Sequence, residues 1–319
     1  MRILVTGCAG FIGMHLCLKL LKIHEIIGID NINSYYDTKL KKNRLKILNK
    51  NKKFSFFKID ISNKKKLNYI FKKTKPSIVI HLASEVGVRN SSINPTPYIE
   101  TNIVGFFNIL ENCKKLKIKK LLYASSSSVY GSSNKKKFSE SFYTDNPISI
   151  YSASKKATEI LAAAYSYLYN FSIIGLRFFT VYGPFGRPDM AIFKFVDSIY
   201  NKKKINIFER GNLERDFTYI DDLIFYIDKL ILKKFTKHEV FNIGNSKPVK
   251  VIELIKLLEQ SIGIKAKLQF SKAPKTEIFR TWSDNSKINK LVFFKNKTSL
   301  KKGVKNFINW YKFYKGIKI

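Results

Sequence analysis

Short apolar segments alternate with helical patterns through the first half of the chain, and this alternation restricts the fold more than any other feature. The apolar segments are "RILVTG", "EIIGID", "FSFFKID", "SIVIHLA" and "KLLYASS", and helical patterns begin at Phe11, near Lys39, at Lys64 and around Tyr98. Strands separated by helices need right-handed crossover connections and form a mostly parallel sheet that is covered on both faces. We therefore predict a doubly wound α/β fold.

The second half of the chain departs from this rhythm. A long helix is predicted from Ile148 to Leu168, followed by the buried strand "SIIGLRFF". One side of this helix carries Ala153, Ala157, Ile160, Leu161 and Ala164. After "VYGPFGRPD" the elements become shorter, with Gly and Pro between them. We predict a first domain over residues 1–182, to which a segment near 214–250 returns with the strand "HEVFNIG", and a smaller, discontinuous substrate-binding domain over most of 183–319.

The chain is strongly basic. Of its 319 residues, 59 are Lys or Arg and 23 are Asp or Glu, which leaves a net charge of +36. Such an excess favours polyanions, so nucleic acid or a membrane surface is one class of partner. The lysines nevertheless form short, scattered runs, at 64–66, 135–137 and 202–204, instead of one basic arm or helix. This distribution is typical of solvated faces, and we expect neither nucleic acid nor a membrane as partner.

The cysteines and the apolar segments bear on location. Three cysteines, an odd number without the spacing of metal ligands, favour a reducing cytosol and argue against a disulfide framework or a zinc site. No stretch reaches the roughly 18 apolar residues of a membrane-spanning helix. The N-terminal "MRILVTG" already has the pattern of a buried strand and not of a cleavable leader. We expect a cytoplasmic protein without a bound metal.

A glycine-rich loop separates the first strand from the first helix. Gly7, Gly10 and Gly13 in "VTGCAGFIG" allow a sharp turn and a close approach of the backbone to a pyrophosphate, whose charge the amides at the helix N-terminus meet. The second strand ends at Asp30, where a carboxylate can accept hydrogen bonds from an adenosine ribose and repel a 2′-phosphate. The first domain is thus predicted to be a Rossmann domain that binds NAD. Asp60 ends the third strand, either near the adenine or as the cap of the next helix.

A tyrosine and a lysine lie one helical turn apart in "YSASKKATE". Tyr151 and Lys155 project from the same face of the predicted helix. The pKa of a tyrosine is about 10, so a phenolate at neutral pH needs stabilisation by a neighbouring ammonium and a positively charged nicotinamide. The serine run at 125–128 follows the last strand of the alternating series, where ligands bind in such sheets. Together these features predict a tyrosine base next to a dinucleotide.

Several motifs occur together in the order of a known family. They are the glycine loop, "HLAS", Asn102, "SSSSVYG", Tyr151-x-x-x-Lys155 and "RDFTYIDD". With this set the chain resembles the extended short-chain dehydrogenase/reductase family of nucleotide-sugar enzymes. The segments "DNINSYYD", "EVGVRNSSINP", "TNIVGFFNILE" and "LRFFTVYGPFGRPDMA" are similar to UDP-glucuronate 4-epimerases of bacterial polysaccharide pathways. The similarity extends to about Asp284 and weakens in the Lys-rich C-terminal segment.

The resemblance implies 4-epimerisation of a UDP-sugar through a transient 4-keto sugar. Tyr151 would take the proton of the 4-hydroxyl while hydride moves to NAD, Lys155 would tune the tyrosine, and Ser126 would share a hydrogen bond with the 4-oxygen. Related dehydratases have an Asp-Glu pair beside this serine and decarboxylases a glutamate, whereas this chain has only hydroxyls, which favours simple epimerisation. The expected cofactor contacts are Gly7, Gly10, Phe11, Ile12, Gly13, Asp30, Asn31, Asp60, Ile61, Ala83, Asn102, Tyr151 and Lys155.

The resemblance also assigns substrate contacts. They are Ser127, Ser128, Thr180, Arg187, Phe208 and Arg215. Ser127 and Ser128 fall near the hexose, and Arg215 matches a diphosphate-binding arginine. Thr180 and Arg187 fall where the sugar carboxylate is held, which suits an arginine fork, although Arg187 could instead pin a surface loop. Phe208 lies either beside the uracil or within a buried strand.

One segment departs from the family pattern. Thr276-Glu277 stands where relatives commonly have Gly-Asp, so Glu277 can replace the aspartate, while Arg280 is an addition without an assigned role.

The long helices near 98–116 and 148–168 could pair across a two-fold axis as the family's homodimer does. The alternative substrates are neutral or N-acetylated UDP-hexoses. The alternative from another class is a basic nucleic-acid-binding protein on a dinucleotide fold.

Overall fold

The strands of the chain form one large and two small sheets. The computed structural model describes residues 1–132, 137–274, 276–295 and 297–317, so Lys135 and Lys136 of the second lysine run lie outside the described residues. In chain order the strands are β1 (Arg2–Thr6), β2 (Glu25–Asp30), β3 (Phe54–Lys58), β4 (Ile78–His81), β5 (Lys120–Ser126), β6 (Ser172–Phe178), β7 (Thr180–Tyr182), β8 (Lys204–Phe208), β9 (Glu214–Tyr219), β10 (Glu239–Ile243), β11 (Pro248–Lys250) and β12 (Lys267–Ser271).

The large sheet has seven strands in the order β10-β6-β5-β4-β1-β2-β3. Every neighbouring pair in it is parallel. Alternate residues of β1 enter the two apolar layers, with Ile3 and Val5 in one and Leu4 in the other. Apolar side chains on both faces are what a parallel sheet covered by helices requires. The predicted doubly wound α/β fold is confirmed.

Helices connect the strands and cover the sheet. They are α1 (Phe11–Leu20), α2 (Thr38–Leu48), α3 (Lys64–Thr74), α4 (Val88–Ile93), α5 (Thr96–Tyr98), a π-helix at Ile99–Gly105, α6 (Phe106–Lys115), α7 (Ile150–Tyr169), α8 (Ala191–Tyr200), α9 (Ile220–Leu232), α10 (Val251–Ile262), α11 (Ser286–Leu291) and α12 (Leu300–Lys315), with short 3₁₀ turns at Ser127–Tyr130 and Glu209–Gly211. The helix expected near 98–116 is therefore a continuous series of α-, π- and α-helical segments.

Helix α7 faces the sheet with its polar side, which the sequence pattern did not indicate. Ser154, Lys155, Thr158 and Glu159 are buried, whereas Ile160 on the predicted apolar side is 58% exposed. The helix begins after Ser149, whose side chain forms a reciprocal capping box with Ser152. The periodicity predicted the helix correctly but not its orientation, because the polar side chains pair with each other and with the strand ends beneath them.

The part of the chain after β6 adds two small sheets. Strands β7, β9 and β11 form a three-stranded sheet in the order β11-β9-β7, and β12 pairs in parallel with β8. Strand β10 returns to the large sheet and pairs in parallel with β6. Helix α9, which precedes β10, packs against α1. Within the described ranges, no helix is both long and apolar enough to cross a membrane.

Candidate active site

One cavity of about 830 Å³ lies beyond the carboxyl ends of β1, β4 and β5. In a doubly wound sheet this is the crevice where ligands bind, since the connections on either side of β1 leave in opposite directions. The predicted site residues that line it are Gly7, Gly10, Phe11, Ile12, Gly13, Asp30, Asn31, Ile61, Ala83, Ser126, Ser127, Ser128, Tyr151, Lys155, Thr180, Arg187, Phe208 and Arg215. Of the predicted set, only Asp60 and Asn102 are not among the lining residues.

The backbone of the glycine loop leaves no room for a side chain at Gly7, Gly10 or Gly13. Gly7 has φ +72°, and a Cβ on it would meet the backbone of Ala83 at 2.7 Å. A Cβ on Gly13 would lie 2.0 Å from the carbonyl oxygen of Gly7, and one on Gly10 would lie 2.9 Å from the same atom. The loop turns tightly over the end of β1 and runs directly into α1. This geometry presents backbone to the cavity at a helix N-terminus, which fits the pyrophosphate of a dinucleotide.

The carboxylate of Asp30 is held at the cavity wall by two backbone amides. Ala9 N–H donates to Oδ2 at 3.1 Å and Ile32 N–H donates to Oδ1 at 2.8 Å. Burial raises the pKa of Asp30, and the amide hydrogen bonds oppose this effect. Each oxygen has a further lone pair available, so the group can also accept hydrogen bonds from ribose hydroxyls.

Asp60 lies behind the cavity and orients Asn31. Its Oδ2 accepts from Asn31 Nδ2 at 2.8 Å, and its Oδ1 accepts from the amide and the hydroxyl of Ser62 at 2.9 and 2.6 Å. The alternative that Asp60 caps the following helix is wrong, since the side chain of Asn63 caps α3. Asp60 thus affects the cavity only indirectly, because it orients Asn31, which lines the cavity.

Asn102 holds the cavity wall from within and does not line it. It lies in the π-helix and is 1% exposed. Its Oδ1 accepts from the Ser84 hydroxyl and the Glu85 amide, both at 2.8 Å, and its Nδ2 donates to Ser154 Oγ at 2.9 Å. In this structure Asn102 connects the loop after β4 to helix α7, and its direct contact with the cofactor stays a prediction.

Tyr151 and Ser126 meet at the end of β5. Their side chains share a hydrogen bond, which lowers the pKa of Tyr151, but burial has the larger effect and raises this pKa above its usual value. The Lys155 ammonium donates to the carbonyl oxygen of Ala124 at 3.0 Å, and burial lowers its pKa to about 7. In this structure the lysine bonds the strand and burial weakens its charge, and the tuning of Tyr151 by Lys155 stays a prediction.

The four serines of the run have different environments. Ser125 donates to Glu159 Oε1 at 2.6 Å, and Glu159 forms a buried ion pair with Arg177 at 2.8 Å. Ser126 Oγ accepts from the amide of Ser128 at 3.1 Å. The buried hydroxyl of Ser128 has no partner among the described residues. Ser125 therefore anchors the turn, whereas Ser126 and Ser128 offer hydroxyl groups to a ligand.

The guanidinium of Arg187 is paired with a carboxylate at one end of the cavity. Its Nε donates to Asp189 Oδ1 at 3.0 Å, and its Nη2 bonds the second carboxylate oxygen. The Tyr35 hydroxyl reaches the same carboxylate at 3.5 Å. Both Arg187 and Thr180 line the cavity. The Arg187 guanidinium is thus part of the cavity wall, and Asp189 is its anionic partner in this structure.

Two arginines converge on Glu277 at the opposite end. Arg89 Nη2 lies 2.8 Å from Glu277 Oε2, and Arg215 Nη2 bonds Glu277 Oε1. The guanidinium of Arg89 also stacks over the Phe208 ring at 4.7 Å. Arg280 does not line the cavity and pairs instead with Glu214. Arg89 was not assigned from the sequence, although its segment "EVGVRNSSINP" carries the resemblance and could have indicated it.

Together the parallel sheet, the glycine loop and the Tyr151–Lys155 pair define a dinucleotide-dependent enzyme of the Rossmann class. The model of the NAD dependent epimerase/dehydratase family matches residues 3–244. The chain belongs to this family.

Similar proteins include UDP-glucuronate 4-epimerases. The chain is 43% identical to UDP-glucuronate 4-epimerase of Thermodesulfobacterium geofontis, over 97% of this chain and 95% of that protein. It is 42% identical to protein CapI of Staphylococcus aureus, over 99% and 100% of the two chains. It is also similar to the crystal structure of UDP-glucuronic acid 4-epimerase from Bacillus cereus in complex with UDP-glucuronic acid and NAD, with a TM-score of 0.93, 35% identity and coverage of 98% and 100%.

Proposed function

We propose that this protein is an NAD-dependent 4-epimerase that interconverts UDP-glucuronate and UDP-galacturonate. The observation that carries the proposal is the placement of Tyr151, Ser126 and Arg187 around one cavity that also contains the glycine loop. A base, a hydroxyl and a carboxylate-binding fork then face one ligand, next to a dinucleotide. The relatives named UDP-glucuronate 4-epimerase support the same activity.

The residues of the first half of the chain fit NAD. The glycine loop would receive the pyrophosphate, and Asp30 would accept hydrogen bonds from the adenosine ribose. Bound NAD would accept hydride from carbon 4 of the sugar and return it to the opposite face. The buried hydroxyl of Ser128 has no partner among the described residues and would be free to bond the sugar or the nicotinamide, while Ile61 and Ala83 would supply apolar cavity wall.

Tyr151 moves the proton in this proposal. Its phenol oxygen would take the proton of the 4-hydroxyl and return it when the ketone is reduced. Ser126, which shares a hydrogen bond with Tyr151, would keep the reacting oxygen within reach of both groups. The turn at Ser125–Ser128 brings hydroxyls and no carboxylate to this place. Without a second acid or base there, the keto sugar would be reduced again and not dehydrated or decarboxylated.

The two ends of the cavity would hold the two ends of the substrate. Arg187 and Thr180 would bind the sugar carboxylate, since an arginine fork matches a carboxylate in a bidentate manner. Arg215 and Arg89 would bind the diphosphate, with Phe208 beside the uracil. Glu277 lies between the two arginines and would have to release them to the diphosphate when the nucleotide binds.

A neutral UDP-hexose is the second candidate substrate, and one observation favours it. Arg187 already has a carboxylate partner in Asp189, so its charge is neutralised within the protein. Supplying UDP-glucuronate, UDP-glucose and UDP-N-acetylglucosamine separately and resolving the products by chromatography distinguishes the two candidates. Conversion of UDP-glucuronate alone or preferentially is the expected result. Conversion of only the neutral sugars would overturn the acid-sugar assignment, and a pentose or 4-keto product would indicate another reaction.

We infer a homodimer from the outward face of α7. Its apolar side includes Ile160 at 58% and Leu168 at 61% exposure, and the neighbouring Ile99 and Phe107 are exposed as well. A helix normally buries its apolar face, so a face turned outward fits an interface between copies. An antiparallel pair of such helices from each copy would form a four-helix arrangement across a two-fold axis.

A cytoplasmic location completes the proposal. The thiols of Cys8, Cys17 and Cys113 are free and buried. Free thiols persist in reducing compartments. Co-fractionation of the native protein with cytosolic markers after cell disruption would test this location.

A further inference from the structure

Arg44 is a fully buried cation that forms no ion pair with an acidic side chain in the described part of the chain. It lies on α2 and is 0% exposed. Its hydrogen bonds go to three backbone carbonyls and one phenol, and its Nε has no partner among the described residues. Arginines are almost never fully buried unless they are paired, because the desolvation of the charge is costly. Burial accordingly lowers the pKa of Arg44 below its usual value.

The two ends of this guanidinium bind two different loops. Nη1 donates to the carbonyl oxygen of Ala9 at 3.0 Å, within the glycine loop, and to the Tyr36 hydroxyl at 2.6 Å. Nη2 donates to the carbonyl oxygens of Phe185 at 2.6 Å and Gly186 at 3.4 Å. These two residues directly precede Arg187. One planar group therefore joins the loop expected to receive a pyrophosphate to the turn that carries the carboxylate-binding fork.

The turn before Arg187 depends on donors from outside it. Phe185 has φ +59°, a left-handed conformation that is unfavourable for a residue with a side chain. His15 Nε2 lies 2.9 Å from the carbonyl oxygen of Pro184, so three successive carbonyls, at 184–186, point toward donors on α1 and α2. Backbone in such a conformation persists only where its surroundings hold it.

The glycine loop is held from two sides at one residue, Ala9. The Ala9 amide donates to the Asp30 carboxylate at 3.1 Å, while its carbonyl accepts from Arg44. A bidentate guanidinium suits this double role, because its fork spans two acceptors in a fixed geometry that an ammonium cannot reproduce. The guanidinium, which interacts electrostatically with the nearby Asp30 carboxylate, also lies next to a site expected to take an anionic ligand.

We propose that Arg44 is a positioning residue that aligns the Arg187 turn with the glycine loop, so that binding of the dinucleotide and recognition of the sugar carboxylate are coupled. The second part rests on the proposed function. Arg44 itself touches neither ligand in this proposal, since it does not line the cavity. Its effect is transmitted through the backbone of Ala9 on one side and of Phe185 and Gly186 on the other.

The test uses NAD-saturated, full-length protein and compares binding of UDP-glucuronate with binding of UDP by calorimetry. The ratio of the two affinities isolates recognition of the sugar acid from recognition of the nucleotide. For Arg44→Lys, which keeps the charge and loses the fork, we expect this ratio to fall about tenfold or more, as for other small misplacements of a binding group. The affinity of the protein for NAD should fall as well. Tyr36→Phe, which removes one of the partners, should change the ratio in the same direction but less.

Two controls separate positioning from general loss of stability. Leu48→Ala changes another fully buried residue of α2 that does not line the cavity, and it should lower the melting temperature without changing the ratio. In an Arg187→Gln background, Arg44→Lys should no longer affect the ratio, since the fork it positions is gone. An unchanged ratio in both Arg44→Lys and Tyr36→Phe, or an equal fall in Leu48→Ala, would overturn the positioning role. If the unmodified protein binds UDP-glucuronate no better than UDP, the proposed substrate fails, and the NAD affinity of the variants still tests the contact to Ala9.

Discussion

Lys155 Nζ lies 6.0 Å from the centroid of the Tyr151 ring. It donates a hydrogen bond to the carbonyl oxygen of Ala124 in β5. The helical spacing brings the two side chains to the same face, as the sequence predicts. The lysine, however, joins α7 to the strand that carries the serines, and its own charge is weakened by burial. Its first role in this structure is therefore to hold the helix and the serine turn together.

Replacing the tyrosine tests the proposed base. Tyr151→Phe should reduce the turnover of UDP-glucuronate by about 10²–10⁴-fold, because the proton of the 4-hydroxyl loses its acceptor. The melting temperature and the content of bound NAD should remain close to those of the unmodified protein. Tyr143→Phe is the matched control, since this tyrosine is 93% exposed and lies outside the cavity. Full activity of Tyr151→Phe would refute the assignment.

The buried lysine should make stability depend on pH. Its pKa is lowered from 10.5 to about 7, so the folded protein carries the cost of a buried charge below pH 7. Between pH 7 and 10.5 the unfolded chain binds the proton that the folded state has lost, and stability therefore rises with pH. Lys155→Met should be more stable than the unmodified protein by a few kcal/mol at pH 7, at about 1.4 kcal/mol per pKa unit.

Denaturant unfolding of the two proteins at pH 7, 8.5 and 10, without added nucleotide, checks this difference. The gap should shrink as the pH rises, because both states of the lysine approach neutrality. A gap that stays constant over this range would show that the ammonium is not desolvated as described.

The guanidinium of Arg187 should determine whether the protein prefers UDP-glucuronate or a neutral UDP-sugar. Arg187→Gln should weaken binding of UDP-glucuronate by about 10- to 100-fold, the range expected for lost hydrogen bonds to a charged group, and should affect UDP-glucose much less. Asp189→Asn removes the competing anion and should favour UDP-glucuronate further over UDP-glucose. Competition binding with the two sugars measures both effects. An equal loss for both sugars in Arg187→Gln would assign the arginine to the architecture of the loop alone.

In the proposed complex, Glu277 would compete with the diphosphate of the substrate for Arg89 and Arg215. Glu277→Gln should strengthen the binding of UDP several-fold and steepen its dependence on salt, because Arg89 and Arg215 no longer have a carboxylate between them. Glu214→Gln serves as the comparison, since it breaks an ion pair with Arg280, which is not part of the cavity. Weaker UDP binding in Glu277→Gln would instead mean that the carboxylate contacts the nucleotide or is needed to orient the arginines.

A charge on the outward face of α7 should separate the proposed dimer. Ile160→Glu places a carboxylate in the middle of the exposed apolar side, where its burial between two copies would be unfavourable. Light scattering of the variant should report the mass of one chain, against two chains for the unmodified protein. Ile23→Glu, at another exposed apolar residue, should leave the mass unchanged. A single-chain mass for the unmodified protein would exclude the dimer under those conditions.

The order of strands and helices, the glycine loop and the pair at Tyr151 and Lys155 could all be predicted from the sequence. These features depend on local periodicity, on residues without side chains and on spacing within one helix, all of which act over short distances along the chain. The serine run is informative for the same reason, since it follows a strand end and its place in the crevice is set by the topology. The same local rules predicted α7 but not which of its sides faces the sheet.

Only the tertiary structure decided the pairings between distant segments. Arg89 and Arg215 meet at Glu277, which is 188 residues from the first of them, and no local pattern indicates such a contact. Asn102 turns inward because the π-helix and the loop after β4 place its amide among buried partners. The partners of a charged side chain, and the extent of its burial, depend on which segments pack around it. For that reason the sequence determined the kind of chemistry this protein can perform, whereas the fold determined which side chains act on a ligand and which hold the others in place.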